Sequence, residues 1–489
     1  MRECQIPVAC VQLRAVDRSD FERRWEDVLA LISSAGERGA RLIVLPEGTV
    51  PGYVLGHEPL SLKQLERATD RVAAIARRYN ATIVYGGAKV VGNRTFNAAI
   101  ALGPEGRELG FAAKQFLWHF DRLWYAPGET LEPIDTPVGR LGLLVCADGR
   151  IPTIAATLAE RGADMLVMPT AWVTSGRDPG ALENIQADLM VNVRARENGI
   201  PFVACNKAGI ELGAVAYCGK STIVDAAGRT LARAGERNEE LLLDNVRIGG
   251  DQRVGFVERF AGPALHGGPS DAGNRPAERL RVAFTLEREP HKLARLMDFA
   301  AEADADLFLA AGNAQPPQRR AGSRPAVLAL PSSPSEHAEI MEAAGLRIVL
   351  AGDAMVHDPR GLVAARASGV DFVVWETRDE PEWQIRFART RAAELRAYVV
   401  VSGPAAARAF AVDPDGAVVA GTFDDYRLAS FMYDRSRTQA TQVAPSTDVA
   451  EGLRTAERIR TTTMQTTSTR PPSIDAEGLN VTLADSSER

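Results

Sequence analysis

Cysteine, histidine and aromatic residues are all scarce in this chain of 489 residues. The five cysteines (Cys4, Cys10, Cys146, Cys205 and Cys218) are odd in number, form no CxxC pair and stop at residue 218, which excludes a disulfide framework and a thiolate zinc site. Six histidines are scattered without an HExxH or HxH pattern, so no metal centre and no cofactor is expected. No apolar run approaches the roughly 18 residues of a membrane-spanning helix. The opening "MRECQIPVACVQL" lacks a secretory apolar core, and a cytoplasmic location is expected. Neither sign of charge dominates: 57 Lys+Arg against 63 Asp+Glu leave a net charge of -6, excluding nucleic-acid binding driven by basic charge. What remains, 45% hydrophobic and 25% charged, is an ordinary globular composition.

Short apolar runs alternate with amphipathic stretches. "VACVQL", "RLIVLP" and "TIVYGG" read as strands; "FERRWEDVLALISSAGERG" and "LKQLERATDRVAAIARRYN" read as helices between them. The alternation predicts layered α/β structure over residues 1–253. Residues 254–280, rich in Gly and Pro, read as a linker. A second alternation follows over residues 281–435 in recognisable order. "RVAFTL" mirrors "PVACVQL", "LRIVLAGD" mirrors "LGLLVCAD", and "GLVAARASGVDFVVWET" mirrors "IAATLAERGADMLVMPT". This matching sets Gly312 against Glu47, Ala351 against Cys146 and Asp353 against Asp148, with the segment that would carry a lysine missing. Residues 436–489, rich in Thr and Ser, read as a disordered tail.

Three residues of the first half stand where βα architecture displays reactive groups, at the carboxyl ends of strands. Glu47 follows "LIVLP", and a carboxylate there is costly to bury without a partner. Cys146 ends "LGLLVC" before a turn and a helix beginning near Pro152, where a helix N-terminus would lower the thiol pKa and supply thiolate. Lys114, in "GFAAKQFLWHF", could donate to an oxyanion. Tyr53, Trp172 and Arg150 are candidate pocket residues, Arg150 through bidentate binding of a substrate carboxylate. Asp148 reads as a helix cap. A Cys146–His119 pairing is the weaker alternative, because no Asn or Asp is evidently placed to orient the ring.

The segments "LIVLPEGTVPGY", "AAKQFLWHFDRLWYAPGE", "LGLLVCADGRIP", "GADMLVMPTAW" and "ENGIPFVACNKAG" resemble the nitrilase (carbon-nitrogen hydrolase) superfamily across residues 5–253. The resemblance implies a four-layer αββα sandwich, here in tandem, with Glu47 as general base, Lys114 as transition-state stabiliser and Cys146 as nucleophile. It places the oxyanion between Lys114 and the Ala147 backbone N–H. Asp121 stands where the family usually has a second glutamate, which makes it a candidate to reach the substrate or Lys114, and Thr153 stands where Glu usually follows the proline. "CAD" resembles amidase and carbamoylase branches, whereas nitrile hydrolases usually read Cys-Trp-Glu. The implied activity is hydrolysis of a linear amide or N-carbamoyl small molecule. A nitrile hydrolase, an acyltransferase using the same thioester, and a scaffold with a vestigial triad are the alternatives. The second copy, lacking nucleophile and base, is expected to be catalytically dead and to pack on the first as an intramolecular pseudo-dimer, with a further homo-oligomer as an alternative.

Overall fold

In the computed structural model, which describes residues 4–174, 182–249, 278–287, 289–310, 325–330, 339–402, 409–422 and 427–468, the strand Cys4–Arg14 feeds two cores at once. Val8 and Cys10 face one way and Ala9 and Val11 the other, as the two-residue strand period requires. Ala9 and Val11 pack under α1 (Phe21–Glu37) and α2 (Leu62–Tyr79), whose apolar stripes include Trp25, Leu29, Ile32, Val72 and Ala76. Val8 and Cys10 pack against Leu141, Leu143, Met165 and Val167 of a second sheet, whose far face is covered by α3 (Pro152–Glu160) and α4 (Val191–Asn198).

The first sheet has eight strands, with Cys4–Arg14 parallel to Leu42–Val44 and antiparallel to Glu240–Ile248. The second runs Thr230–Arg233, Thr222–Val224, Phe202–Cys205, Met165–Pro169, Gly139–Leu143, Ile134–Thr136. Helix, sheet, sheet, helix is the αββα order expected.

The later half pairs its strands in the same order and sense. Arg279–Thr285 is parallel to Leu307–Ala310 and antiparallel to Leu428–Asp434. A six-stranded sheet runs from Glu339–Ala343 through Leu346–Ala351, Phe372–Glu376, Tyr398–Ser402 and Phe410–Val412 to Val418–Gly421. α5 (Pro290–Glu302) covers the sheet that holds Arg279–Thr285 and Leu307–Ala310, and α6 (Asp353–His357), α7 (Pro359–Ala367) and α8 (Pro381–Leu395) cover the six-stranded sheet.

Hydrogen bonds fix the register between the halves. Arg140 N–H donates to Asp164 Oδ2 and Asp164 N–H to Arg140 O, at 2.8 and 2.7 Å; Arg347 and Asp371 do the same at 3.2 and 2.9 Å. Pro152 and Pro359 open α3 and α7. Thr170 N–H donates to Cys205 O, and Thr377 N–H to Ser402 O, both at 2.9 Å. Counted from these landmarks, Cys146 corresponds to Asp353, not to Ala351, and Asp148 to Met355. Matching "CAD" with "AGD" by their shared aspartate slid the alignment by two residues. Gly312, matched to Glu47, lies outside the described residues, as does most of the expected linker 254–280.

The tail also departs from expectation. Residues 435–468 form α9 (Arg435–Gln439), the strand pair Gln442–Ala444 and Thr447–Asp448, and α10 (Val449–Ser468). Val449, Leu453 and Ala456 join the core of the first half. Their spacing is a helical stripe, and burying it outweighs the Thr/Ser composition. Among the described residues no helix is long and apolar enough to cross a membrane.

Candidate active site

Glu47 lies just beyond the strand Leu42–Val44 and is fully buried. Its Oε1 accepts from Lys114 Nζ at 2.8 Å and from Asn97 Nδ2 at 2.6 Å. Its Oε2, also buried, has no hydrogen-bond partner among the described residues. The backbone here runs so close to Gly86 that a Cβ on that glycine would stand 2.3 Å from Glu47 Cα, so only glycine fits.

Lys114 follows the strand Glu108–Ala113 and pairs with Asp121 Oδ2 at 2.6 Å as well as with Glu47, all three side chains being fully buried. Burial opposes its charge, but Asp121 and Glu47 outweigh that and hold Lys114 well above the ordinary lysine range. Asp121, one methylene shorter than the usual glutamate, therefore reaches Lys114. It also accepts from Trp118 N–H at 2.9 Å, and its Oδ1 is buried with no hydrogen-bond partner among the described residues.

Cys146 opens the turn Cys146–Arg150 at φ 48°, a left-handed conformation that is strained for a non-glycine residue. Burial and then the Glu47 charge push its thiol up; Lys114, the Thr170 hydroxyl and the Ala171 N–H pull the other way and lose. The expected depression of the thiol pKa is thus reversed. α3 begins only at Pro152, beyond an intervening turn, and the buried cluster already carries two carboxylates against one ammonium.

Asp148 does not cap α3, whose N-cap is Ile151. Its Oδ1 accepts from Gln115 and Phe116 N–H at 3.0 and 2.8 Å, and its Oδ2 from Val145 N–H at 3.0 Å. It ties the segment after Lys114 to the turn that carries Cys146. Burial pushes this carboxyl up to about 7, against the pull of the N–H groups of Phe116, Val145 and Gln115.

Tyr53 is buried with Lys114 Nζ 5.8 Å from its ring centre and packs on Phe120 and Tyr217. Trp172 is buried, its backbone N–H donating to Asn206 Oδ1 at 2.7 Å and its Nε1 having no hydrogen-bond partner among the described residues. Ala147 is buried directly after Cys146. Arg150 is not assembled with this cluster. Its guanidinium lies 5.8 Å from the Trp118 ring and is pushed down to about 10 by burial and by Arg396, with Glu394 and Asp415 opposing. Those are charges of the second half, so Arg150 belongs to the contact between halves. The His119 ring packs on Phe120, and its backbone N–H donates to Thr447 Oγ1 at 2.7 Å.

Asn97, Thr170 and a second buried polar group were not read from the sequence. In that group Glu211 Oε2 accepts from Tyr217 Oη at 2.7 Å and pairs with Lys207 Nζ at 3.5 Å, while Lys207 Nζ lies 5.9 Å from the Tyr53 ring centre. Lys207 stands inside the quoted "NKAG"; Glu211, in a hairpin, gave no such signal.

Fold and site together are those of a nitrilase-like hydrolase. The carbon-nitrogen hydrolase family profile matches residues 7–250. An (R)-stereoselective amidase from a Pseudomonas species is 30% identical over 252 residues, 49% of this chain and 86% of that one. A deaminated glutathione amidase from Synechocystis is 28% identical, covering 47% and 89%, and a nitrilase from Pyrococcus abyssi is 28% identical, covering 45% and 82%. The crystal structure of an amidase from Nesterenkonia sp. aligns at 27% identity over 49% of this chain and 89% of that one, with a TM-score of 0.45. The chain belongs to the carbon-nitrogen hydrolase family, in the amidase-like branch of the nitrilase superfamily.

Proposed function

We propose that this enzyme hydrolyses a linear amide or N-carbamoyl compound through a thioester on Cys146. The observation that carries the reading is the unequal state of the two Glu47 oxygens: Oε1 is held by Lys114 and Asn97, while Oε2 is buried with no hydrogen-bond partner among the described residues and is placed to take a proton. Because Cys146 rests as a thiol, a base must deprotonate it as it attacks. Glu47 Oε2 accepts that proton while sulfur bonds to the substrate carbonyl carbon. The resulting oxyanion is met by the Lys114 ammonium and the Ala147 N–H. Glu47 returns the proton to the leaving nitrogen, the C–N bond breaks, and ammonia or an amine departs. Water then attacks the thioester with Glu47 again as base, releasing the acid and the thiol. Asp121 positions Lys114, and Tyr53 and Trp172 line the acyl side.

The second half supplies a packing partner for the first, in place of a second subunit. The experiment is ammonia release from a panel of carbamoyl amino acids, ω-amides and nitriles, with Cys146→Ala as control. Amides or carbamoyl compounds should exceed nitriles, and the variant should be inactive. A preferred nitrile would overturn the substrate class, and an active variant the mechanism. Acyl transfer would show as a new product when hydroxylamine is added.

A further inference from the structure

The position of Cys146 in the first half is taken by Asp353 in the second, and two other donor side chains stand beside it. Asp353 and His357 lie one helical turn apart on α6, after the strand Leu346–Ala351; Asp379 follows the strand Phe372–Glu376. One ligand atom from each lies within 4.8 Å of the other two, and all three residues are half-buried. His357 Nε2 and Asp379 Oδ2 are 2.6 Å apart.

The fold does not require this cluster. At the matching positions the first half has Cys146, Arg150 and Trp172, and it builds the same strand, turn and proline-led helix around them. Each of the three is also oriented from outside the cluster. Trp375 Nε1 donates to Asp353 Oδ1 at 3.0 Å and Arg378 N–H to Oδ2 at 3.1 Å. The His357 ring lies against Phe387, centroids 4.6 Å apart. Asp379 N–H donates to Thr377 Oγ1 at 2.9 Å, and Asp379 O accepts from Gln384 Nε2 at 2.7 Å. Outer partners of this kind hold metal ligands in place, and a carboxylate oxygen that accepts one hydrogen bond keeps a lone pair for a cation.

We propose that Asp353, His357 and Asp379 bind a divalent transition-metal ion, of the zinc, cobalt or nickel kind, in the second half of the chain. One imidazole and two carboxylates without a thiolate form a borderline donor set, which favours such ions over magnesium or calcium. Three protein ligands leave further coordination positions to water. The ion would also brace the contact between halves, because Arg391 donates to the α6 carbonyls of Val356 and His357 at 2.7 and 3.5 Å.

The test uses the full chain, freed of metal by dialysis against a chelator and titrated with zinc chloride and cobalt chloride. Calorimetry should show one saturable ion per chain. His357→Gln and Asp379→Asn, checked for folding by circular dichroism, should weaken it by more than about a hundredfold, beyond what loss of an outer partner costs. Cys4→Ser and Cys146→Ala should bind as the native chain does. Zinc should raise the unfolding temperature of the native chain and leave that of His357→Gln unchanged. Cobalt bound to the native chain should show visible bands of nitrogen and oxygen ligation. No saturable binding, equal binding in both ligand variants, or a thiolate-to-cobalt charge-transfer band would each overturn the proposal.

Discussion

Arg194 and Arg391 stand at equivalent places in the two halves and grip each other's helices. Arg194 donates to Glu197 of its own helix α4 at 2.8 Å and to Glu394 of α8 at 2.5 Å. Arg391 donates to Glu394 of α8 and to Glu197 of α4, both at 2.5 Å. All four side chains are buried, so two cations and two carboxylates close a neutral ring away from water. Each guanidinium also reaches the segment just ahead of the proline-led helix of its own half, α3 or α7: Arg194 Nε donates to Gly149 O at 3.0 Å and Arg391 Nε to Val356 O at 2.7 Å. The ring therefore links the contact between halves to the turn that carries Cys146.

Removing one member of this ring leaves a buried charge unbalanced, so Arg391→Met should destabilise the chain by about 3 to 5 kcal/mol. Replacing all four members with apolar residues of similar volume should cost far less. Urea unfolding of both variants checks this; a single variant as stable as the native chain would show that the ring does not hold the halves together.

A chain ending at residue 253 loses Glu394 and Arg391 as partners and bares Val193, which sits in the core of the second half. It should aggregate, self-associate or lose activity. Residues 281–435 alone should hydrolyse no amide in the panel. Light scattering and ammonia release decide: a monomeric, soluble and fully active first half would sink the account of the second half as a packing partner.

The raised Cys146 thiol sets the order of cysteine labelling. Cys4 is the exposed cysteine among the five, so methyl methanethiosulfonate at neutral pH should modify Cys4 first and Cys146 slowly. The rate at Cys146 should climb as pH rises into the alkaline range. Peptide mass mapping over time checks this, and Cys146 as the fastest site at pH 7 would show a thiolate at rest.

Asp148 gives the fold a pH dependence of definite sign. Its carboxyl is pushed up to about 7 from 3.8, so between those values the folded chain holds a proton that the unfolded chain has lost. This group's contribution to stability is present at low pH and is lost as pH rises from about 4 to about 7. Asp148→Asn keeps an acceptor for Gln115 and Phe116, loses the Val145 bond at about 1 kcal/mol, and should flatten that slope. Urea midpoints at pH 5 and pH 7.5 for both chains measure it; the same slope in the variant would remove Asp148 as the source.

Much of the first half was legible because its signals are local. A strand period, a helical stripe under Trp25 and Leu29, and glutamate or cysteine at a strand end can all be read within a dozen residues. What escaped was set by tertiary contact. The Cys146 thiol is pushed up first by burial in the assembled core and then by a carboxylate ninety-nine positions away in sequence, and Asn97 meets Glu47 only because their strands lie in one sheet. The charges around Arg150 come from Arg396, Glu394, Asp415 and Arg194, all distant from it in sequence. Asp353 and His357 sit one turn apart on α6, but Asp379 meets them only because its strand pairs with the one that leads into α6.

The C-terminal helix should matter to activity although it carries no catalytic group. Gly452 of α10 lies so close to Phe116 that a Cβ there would stand 2.7 Å from the ring, and Thr447 Oγ1 accepts the His119 N–H. Both contacts fall on the segment that runs from Lys114 to Asp121. Gly452→Leu should push α10 off this segment and loosen the Lys114–Asp121 pair, lowering kcat by about tenfold to a hundredfold, in the range seen when an oxyanion donor is misplaced. Gly452→Ala should fall between the two, because one methyl group already meets the ring. Glu451→Gln, on the exposed face of the same helix, should stay near native activity. Steady-state ammonia release from the three variants tests the idea, and unchanged kcat in Gly452→Leu, with α10 shown by proteolysis to be displaced, would mean that the helix only covers the core.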